Sequence, residues 1–340
     1  MFSMRSISTV LVAALTLIAH TAWAGDTYPS KPLKIIYPGL PATAGDITLR
    51  RFAETLSVTF GQPVVIENHP GGNGIVAAQA ALSAPRDGYT INMFSSADTI
   101  AIADAQAKGS NLSIPFEEFD ALSGFETFSN VVAVSTASPF RTLPDILRYA
   151  RENECKLNVG LTGVNTPNYL LARIFMYQTG VKFVMVPHTK IADLLMDAVR
   201  GQVPVLIQSY AAIQGQVDAG NLRPVAVSGP RREPYLPDVP TIAELGIEGL
   251  KGFTLPTWAS LYTPKGVPAA RRAYLSQKIN EALRTPAVAS AFKELAIEPL
   301  FLSAHQQDQL MHNEIKKWGD LFRSKKIYDT TAWCMKKLEK

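Results

Sequence analysis

The 340-residue sequence has only two cysteines, few charged residues and no long hydrophobic run. Charged residues make up 18% of the chain and nearly balance, with 33 basic against 29 acidic, so no strongly basic surface is available to attract nucleic acid or an anionic membrane. Three catalytic or metal motifs are also missing, namely the G-x-S-x-G elbow, the H-E-x-x-H helix and the C-x-x-C pair. We expect no metal, no cofactor, no nucleic-acid partner and no enzymatic activity.

Residues 1–24 have the features of an export signal. Arg5 is their only charge, Val10–Ala19 is a nearly unbroken apolar run, and Ala22-Trp23-Ala24 has the small-x-small form of a signal-peptidase site. The run is too short to span a bilayer, and no cysteine near the cut offers a lipid anchor. We therefore expect cleavage after Ala24 and a soluble periplasmic protein.

The rest of the chain alternates short β-rich runs with helical patterns, in two successive series. This alternation predicts an α/β fold built from βαβ units, with a doubly wound, mostly parallel sheet in each series. Ligands of such sheets bind beyond the carboxyl ends of the strands. The strands are predicted at Leu33–Ile36, Val64–Glu67, Tyr89–Phe94, Asn130–Val134, Leu157–Val159, Phe183–Val186, Val205–Ile207, Pro224–Val227 and Trp258–Tyr262.

The loop Tyr37–Asp46 joins the first strand to a long amphipathic helix pattern. We expect Asp46 to be the N-cap, accepting bonds from unpaired backbone N–H groups of that helix. These groups and the positive end of the helix dipole suit a small anion, although an ordinary βα turn has the same pattern. Ser95–Asp98 follows the third strand and is predicted at the same sheet edge.

The second series contains a similar loop, Gly160–Thr166. Thr166 as N-cap with Pro167 at the first helical position predicts a helix start there. In the last third, Ser303 and Gln306 have the spacing of a capping box and predict the start of a final long helix. The apolar stripe of that helix is interpreted as core.

The order of several short motifs closely resembles that of the Bug receptor family, the extracytoplasmic solute-binding proteins of tripartite tricarboxylate transporters. The resemblance covers residues 28 to about 327, almost the whole exported chain. The motifs that carry it are Tyr28-Pro-Ser-Lys-Pro32, the loop ending at Asp46, Gly61-Gln-Pro-Val-Val-Ile-Glu-Asn68, Pro70-Gly-Gly-Asn-Gly74, Asp87-Gly-Tyr-Thr90, Gly201-Gln-Val203 and Leu236-Pro-Asp-Val-Pro-Thr241.

The resemblance implies a two-lobed type II periplasmic-binding-protein fold that closes on its ligand like a Venus flytrap. Domain 1 would comprise residues 28–127 and 255–340, and domain 2 residues 128–254. Family members grip one carboxylate of a small acid between two loops, largely through backbone N–H groups and waters. The implied partners are a small carboxylate and the membrane subunits of a tripartite tricarboxylate transporter, with the receptor itself a monomer.

The implied binding residues of the first lobe lie in the loop after the first strand and after the third strand. They are Leu40, Pro41, Ala42, Thr43, Gly45, Asp46, Ser95 and Ser96. The family usually has consecutive glycines where this chain has Ala42-Thr43-Ala44, and replacing glycine restricts the backbone and its approach to a ligand. Asp46 matches the family's Asp, which caps the helix, orders waters or meets a ligand ammonium.

The implied binding residues of the second lobe lie in two loops. They are Thr162, Gly163, Asn165, Thr166, His188, Thr189 and Lys190. Asn165 stands where the family usually has Gly, Tyr169 where it has His, and His188 where it has Tyr. Lys190 either meets a second carboxylate of the ligand or is a solvated residue at a helix entry. His69 and Trp258 are interpreted as structural, and the departures leave the identity of the ligand open.

Two other functions are compatible with the sequence, and the pairing of the two cysteines is a separate question. The same cleft would serve a ligand-sensing co-receptor for a membrane signalling protein. His188, Tyr169 and Asp46 would be the acid/base set of an enzyme, which is the least favoured function. Cys155 and Cys334 would fall in different domains, and a bridge between them would restrain a closing receptor. The sequence therefore disfavours a disulfide without excluding it.

Overall fold

A computed structural model describes residues 28–39, 41, 43–163, 166–324 and 334. The predicted export signal at 1–24, with its cleavage after Ala24, lies outside the described residues. Within the described ranges, no helix has the length and apolar character needed to cross a bilayer.

Strands and helices alternate along most of the chain, as predicted. The strands are β1 Leu33–Tyr37, β2 Val64–Asn68, β3 Thr90–Ser95, β4 Phe119–Ser135, β5 Asn158–Thr162, β6 Val184–His188, β7 Val205–Ser209, β8 Leu222–Val227, β9 Pro256–Pro264 and β10 Glu298–Pro299. The α-helices are α1 Ala44–Phe60, α2 Ile75–Leu82, α3 Ser96–Ala107, α4 Leu143–Glu152, α5 Pro167–Thr179, α6 Ile191–Val199, α7 Tyr210–Asp218, α8 Ala269–Leu283, α9 Pro286–Glu294 and α10 Ala304–Arg323.

The first lobe is a mixed sheet in the order β2-β1-β3-β9-β4. Its β1, β2 and β3 are parallel, with Ile35 beside both Ile66 and Ile91. These three isoleucines are buried in one apolar cluster with α1, α8 and α9. The antiparallel strands β9 and β4 complete the sheet, so the predicted parallel core carries an antiparallel edge.

The long strand β4 joins the two lobes. Its residues Phe119–Ser129 pair with β9, and its residues Asn130–Ser135 pair with β7 and β8 of the second lobe. Beyond β7 the second sheet continues through the parallel strands β5 and β6. The two-lobed α/β architecture is thus confirmed, whereas the domain limits 28–127, 128–254 and 255–340 stay a prediction.

The last helix, α10, connects the cores of both lobes. Met311 is buried with first-lobe residues, and about two and three turns later Trp318 and Phe322 are buried in the main apolar cluster of the second lobe. The chain therefore passes from the first lobe to the second along this helix.

Cys155 and Cys334 form a disulfide, so the expectation that they stay unpaired is wrong. The reason is that Cys334 lies in the second lobe, where its Sγ is 3.7 Å from the carbonyl oxygen of Phe183. Both sulfur atoms are buried in that lobe. The bond therefore fastens the end of the chain to the lobe in which Cys155 lies.

Candidate functional site

A cavity of about 450 Å³ lies between the two lobes, at the carboxyl ends of β1, β3 and β7. This volume falls within the range of about 300–1,000 Å³ that is usual for small-molecule sites. The lining residues come from both lobes and are Tyr37, Pro38, Gly39, Gly45, Thr48, Asn73, Gly74, Met93, Ser95, Ala97, Asp98, Glu126, Phe128, Thr166, Ser209, Ala211, Thr257, Trp258, Ala259 and Ile297.

Tyr37 shapes the first-lobe wall of the cavity. Its hydroxyl lies 3.4 Å from Thr43 Oγ1, and burial raises its pKa to about 12. A Cβ on Gly39 or Gly45 would come within 2.5 Å or 2.4 Å of the Tyr37 side chain, so the ring packs directly on the backbone of the loop. These two glycines permit that close approach, which leaves the loop N–H groups next to the cavity.

Asp46 is not the N-cap of α1, contrary to the sequence prediction. The helix starts at Ala44 with Thr43 as N-cap in extended backbone, so Asp46 is the third helical residue. Only 2% of it is exposed. Its Oδ2 accepts a bond of 2.9 Å from Arg50 Nε, and its Oδ1 accepts one of 2.8 Å from Asn68 Nδ2. Because Asn68 also donates to Gly39 O, Asp46 fixes the loop rather than facing the cavity.

Replacing Asp46 with alanine is therefore expected to lower the free energy of unfolding by about 1–3 kcal/mol, the usual loss for bonds to a buried charged group. The Arg50 and Asn68 donors would lose their shared acceptor. Urea unfolding of the wild type and of Asp46→Ala measures the difference. Asp218→Ala, at an exposed helix end, is the control and should change stability by less than about 0.5 kcal/mol. Equal stabilities for Asp46→Ala and wild type would contradict this role.

Thr166 supplies the second-lobe side of the cavity and caps α5 as predicted. The backbone N–H of Tyr169 donates to Thr166 Oγ1 at 3.3 Å, and that hydroxyl in turn donates to Thr162 O at 3.1 Å. Gln208 donates to Thr162 Oγ1 at 2.8 Å. The polar atoms of Thr162 are thus hydrogen-bonded inside the protein. Gly163, the next residue, is in the left-handed region at φ +67°. Of these residues, Thr166 reaches the cavity.

Ser95 and Asp98 form a capping box at the start of α3 and both line the cavity. Asp98 Oδ2 accepts bonds from Ser95 N at 2.7 Å and from Ser95 Oγ at 2.8 Å. Burial nevertheless raises the pKa of Asp98 to about 6. Ser96, also predicted as a ligand contact, is buried away from the cavity, with its Oγ 3.5 Å from Trp258 N.

The other predicted binding residues that the structure describes do not line the cavity. His188 holds Asp197 Oδ2 at 2.9 Å through Nε2 and contacts Val186 O through Nδ1. Thr189 and Lys190 are exposed at the start of α6, and none of the three lines the cavity. Pro41 and Thr43 are exposed. The predictions for Leu40, Ala42 and Asn165 lie outside the described residues.

Sequence reasoning missed Glu126 and assigned Trp258 a purely structural role, although both line the cavity. Glu126 is 4% exposed, and burial raises its pKa to about 8. Its Oε2 has no hydrogen-bond partner among the described residues. The available signal was a carboxylate between two aromatic residues, Phe125 and Phe128.

Helix N-termini converge on the cavity. Lining residues belong to the first turn or N-cap of α1, α2, α3, α5 and α7, through Gly45, Gly74, Ser95, Thr166 and Ser209. Unpaired backbone N–H groups and the positive ends of the helix dipoles at such positions favour an anion. No lysine, arginine or histidine is found among the described lining residues, so backbone and hydroxyl groups are the donors that the cavity offers.

Comparison with known proteins agrees with this architecture. BugT of Bordetella pertussis is 28% identical over 323 residues, which cover 93% of this chain and 97% of BugT. A solved structure described as a periplasmic transporter superposes with a TM-score of 0.76 at 28% identity, covering 88% of this chain and 99% of that one. MatC of Rhodopseudomonas palustris, solved with bound malate, superposes with a TM-score of 0.71 at 23% identity, covering 86% and 99%.

A family model described as the tripartite tricarboxylate transporter family receptor, TctC, matches residues 48–327. This range includes both lobes and most of the cavity lining. The chain therefore belongs to the TctC family of tripartite tricarboxylate transporter receptors.

Proposed function

We propose that this protein is a periplasmic solute-binding receptor that captures a small carboxylate between its lobes and delivers it to a tripartite tricarboxylate-type membrane transporter. The observation that carries the proposal is the convergence of five helix N-termini on one interlobe cavity. A carboxylate held there receives charge-assisted bonds from backbone N–H groups, which are about twice as strong as neutral ones. Contacts from both lobes make ligand binding favour the closed arrangement.

Family membership supports the receptor role and the transporter partner, because the family is described by both. The structural relative MatC binds malate, a dicarboxylate, but at 23% identity it shares the fold alone. The choice of a carboxylate therefore depends on this chain's own helix N-termini, whose backbone N–H groups lie at the cavity. The sequence features of residues 1–24 support export to the periplasm.

A thermal-shift screen of the chain from residue 25 onward tests the proposal against mono-, di- and tricarboxylates, amino acids and aromatic acids. A ligand at about 100 times its Kd adds about 2.7 kcal/mol to the free energy of unfolding, which gives a clear rise in Tm. A rise with at least one carboxylate supports the receptor role. No rise across the panel would overturn it. Co-purification with solubilised transporter subunits from the same cell then tests delivery.

Thr166→Val is expected to weaken carboxylate binding about tenfold, because it removes a cavity hydroxyl and the cap that orients the α5 N-terminus. Calorimetric titration with the best ligand of the screen measures the loss. Thr142→Val is the matched control, since Thr142 caps α4 by the same bond to the third helical N–H without lining the cavity. Both variants should lose about 0.5–2 kcal/mol of stability. Equal affinities of the two variants for the ligand would show that Thr166 does not contribute to binding.

A further inference from the structure

The cavity contains one group that a simple carboxylate receptor does not need, and its chemistry narrows the ligand class. Building on the proposed function, we propose that Glu126 is the acceptor for a cationic amine, so that the preferred ligands are amino-carboxylates. The ligand carboxylate would occupy the helix N-termini and its ammonium would face the Glu126 carboxylate.

The local structure of β4 turns Glu126 toward the cavity. Gly124 pairs with Ser260 and Glu126 with Ala259, so Phe125 is an extra residue that forms a bulge in β4. Bulges commonly redirect side chains beside functional sites. Here Phe125 is fully buried in the first-lobe core, while Glu126 lines the cavity.

Glu126 has no protein counter-ion within the described part of the chain. It is 4% exposed, its Oε2 has no hydrogen-bond partner there, and it forms no ion pair with a lysine, arginine or histidine. A buried carboxylate without a partner is costly, and proteins normally pair it or keep it protonated. Burial accordingly raises the pKa of Glu126 to about 8. A ligand ammonium would supply the missing partner.

The surroundings of Glu126 favour a cation over a second anion. Asp98, the other carboxyl group of the cavity, is also buried, and Tyr37 presents a hydroxyl rather than a charge. Asp46 is near Tyr37 as well, although it is bonded to Arg50 and Asn68. Two acidic side chains, Glu126 and Asp98, thus line the cavity, and a second ligand carboxylate would meet like charge there.

The other walls of the cavity are apolar and indicate what lies between the two charged ends of the ligand. Met93, Phe128, Trp258 and Ile297 line it, and none of them offers a charge. Aromatic faces such as those of Phe128 and Trp258 also tolerate a nearby cation. An amino acid with a hydrocarbon or aromatic side chain therefore matches the lining better than a polar dicarboxylate does.

Matched pairs of acids that differ by one amino group test the inference. We suggest calorimetric titration of the chain from residue 25 onward at pH 8 with phenylalanine against 3-phenylpropionate, leucine against 4-methylpentanoate, and glutamate against glutarate. At least one aminated acid should bind at least tenfold more tightly than its partner. Glu126→Gln, which keeps the shape and removes the charge, should reduce that ratio to near one while the deaminated acid still binds. Glu67→Gln, at an edge strand away from the cavity, should leave the ratio unchanged.

Each other outcome is decisive. If the deaminated acids or glutarate bind as well as or better than their aminated partners, the amine subsite is overturned and the carboxylate receptor stands. If the preference for the amine persists in Glu126→Gln, a different group recognises it and the inference fails. If no acid of either kind binds while the protein is folded by circular dichroism, the proposed function and the inference fail together.

Discussion

Replacing both Cys155 and Cys334 with alanine is expected to lower the free energy of unfolding by about 2–5 kcal/mol. The bond closes a loop that contains most of the second lobe and nearly all of the last third of the chain, with a sequence separation of 179 residues. Cross-linking so long a loop restricts the unfolded chain, and this restriction is lost in the variant. In the folded protein the same change releases the end of the chain from its buried position beside Phe183.

Urea unfolding of the wild type and of the double variant, each with and without reductant, measures this effect. The oxidised wild type should have the highest midpoint, and reductant should lower it toward that of the double variant. The double variant itself should not respond to reductant, which makes it the control for non-specific effects. Equal unfolding free energies for oxidised wild type and double variant would show that the bridge contributes nothing.

The bridge also bears on closure of the lobes. Helix α10 packs on α3 in the first lobe and buries Trp318 and Phe322 in the second, so it already connects the two lobes. The disulfide adds a covalent link in the second lobe, beyond the end of that helix. The sequence-based objection assumed that each cysteine belongs to a different rigid body. It fails because α10 contacts the apolar clusters of both lobes, and none of its residues lines the cavity.

Local signals were sufficient to predict most of the elements. The run Leu33–Ile36 is β1 with one residue added, and the pair Thr166 and Pro167 starts α5 as predicted. The capping box of Ser303 and Gln306 starts α10. Such elements are predictable because apolar runs and caps act within a few residues.

The strand that matters most for the site was only partly predictable. Sequence reasoning placed a strand at Asn130–Val134, whereas β4 runs from Phe119 to Ser135. Polar residues such as Asp120 and Glu126 interrupt the apolar pattern of its first half. That half is a strand because β9 lies beside it in the folded chain, and a single-sequence pattern carries no such information.

The candidate site shows the same division. Gly45, Ser95 and Thr166 were placed at the carboxyl edge of the sheets from local loop signals, and all three line the cavity. Their contact with a ligand stays a prediction. The side chains of Asp46 and His188 instead form hydrogen bonds inside the protein. Asp46 bonds to Asn68, which is 22 residues away in the sequence, and His188 bonds to Asp197 on another element. Partners of that kind depend on tertiary packing.

Because of Glu126, the free energy of unfolding of the ligand-free protein should fall as the pH rises. Its pKa is raised from 4.5 to about 8 by burial, so between these values the folded state binds more protons than the unfolded state. The stabilisation is complete below pH 4.5 and is lost as the pH rises toward 8. At about 1.4 kcal/mol per unit of pKa change, the loss is on the order of 4 kcal/mol. Asp98 adds a smaller loss of the same sign, because burial raises its pKa to about 6.

Glu126→Gln should therefore be about as stable as wild type near pH 4.5 and more stable by several kcal/mol at pH 8. Urea unfolding from pH 4.5 to 9, expressed as the difference between the two proteins, measures this contribution. Taking the difference removes the contributions of His312 and Glu233, whose pKa values are raised in both proteins alike. Tyr37 stays protonated throughout because its pKa is about 12. A difference that does not change with pH would mean that Glu126 is ionised in the folded protein at neutral pH. An ionised Glu126 would need a cationic partner without any ligand bound, and the argument for a ligand amine would lose its support.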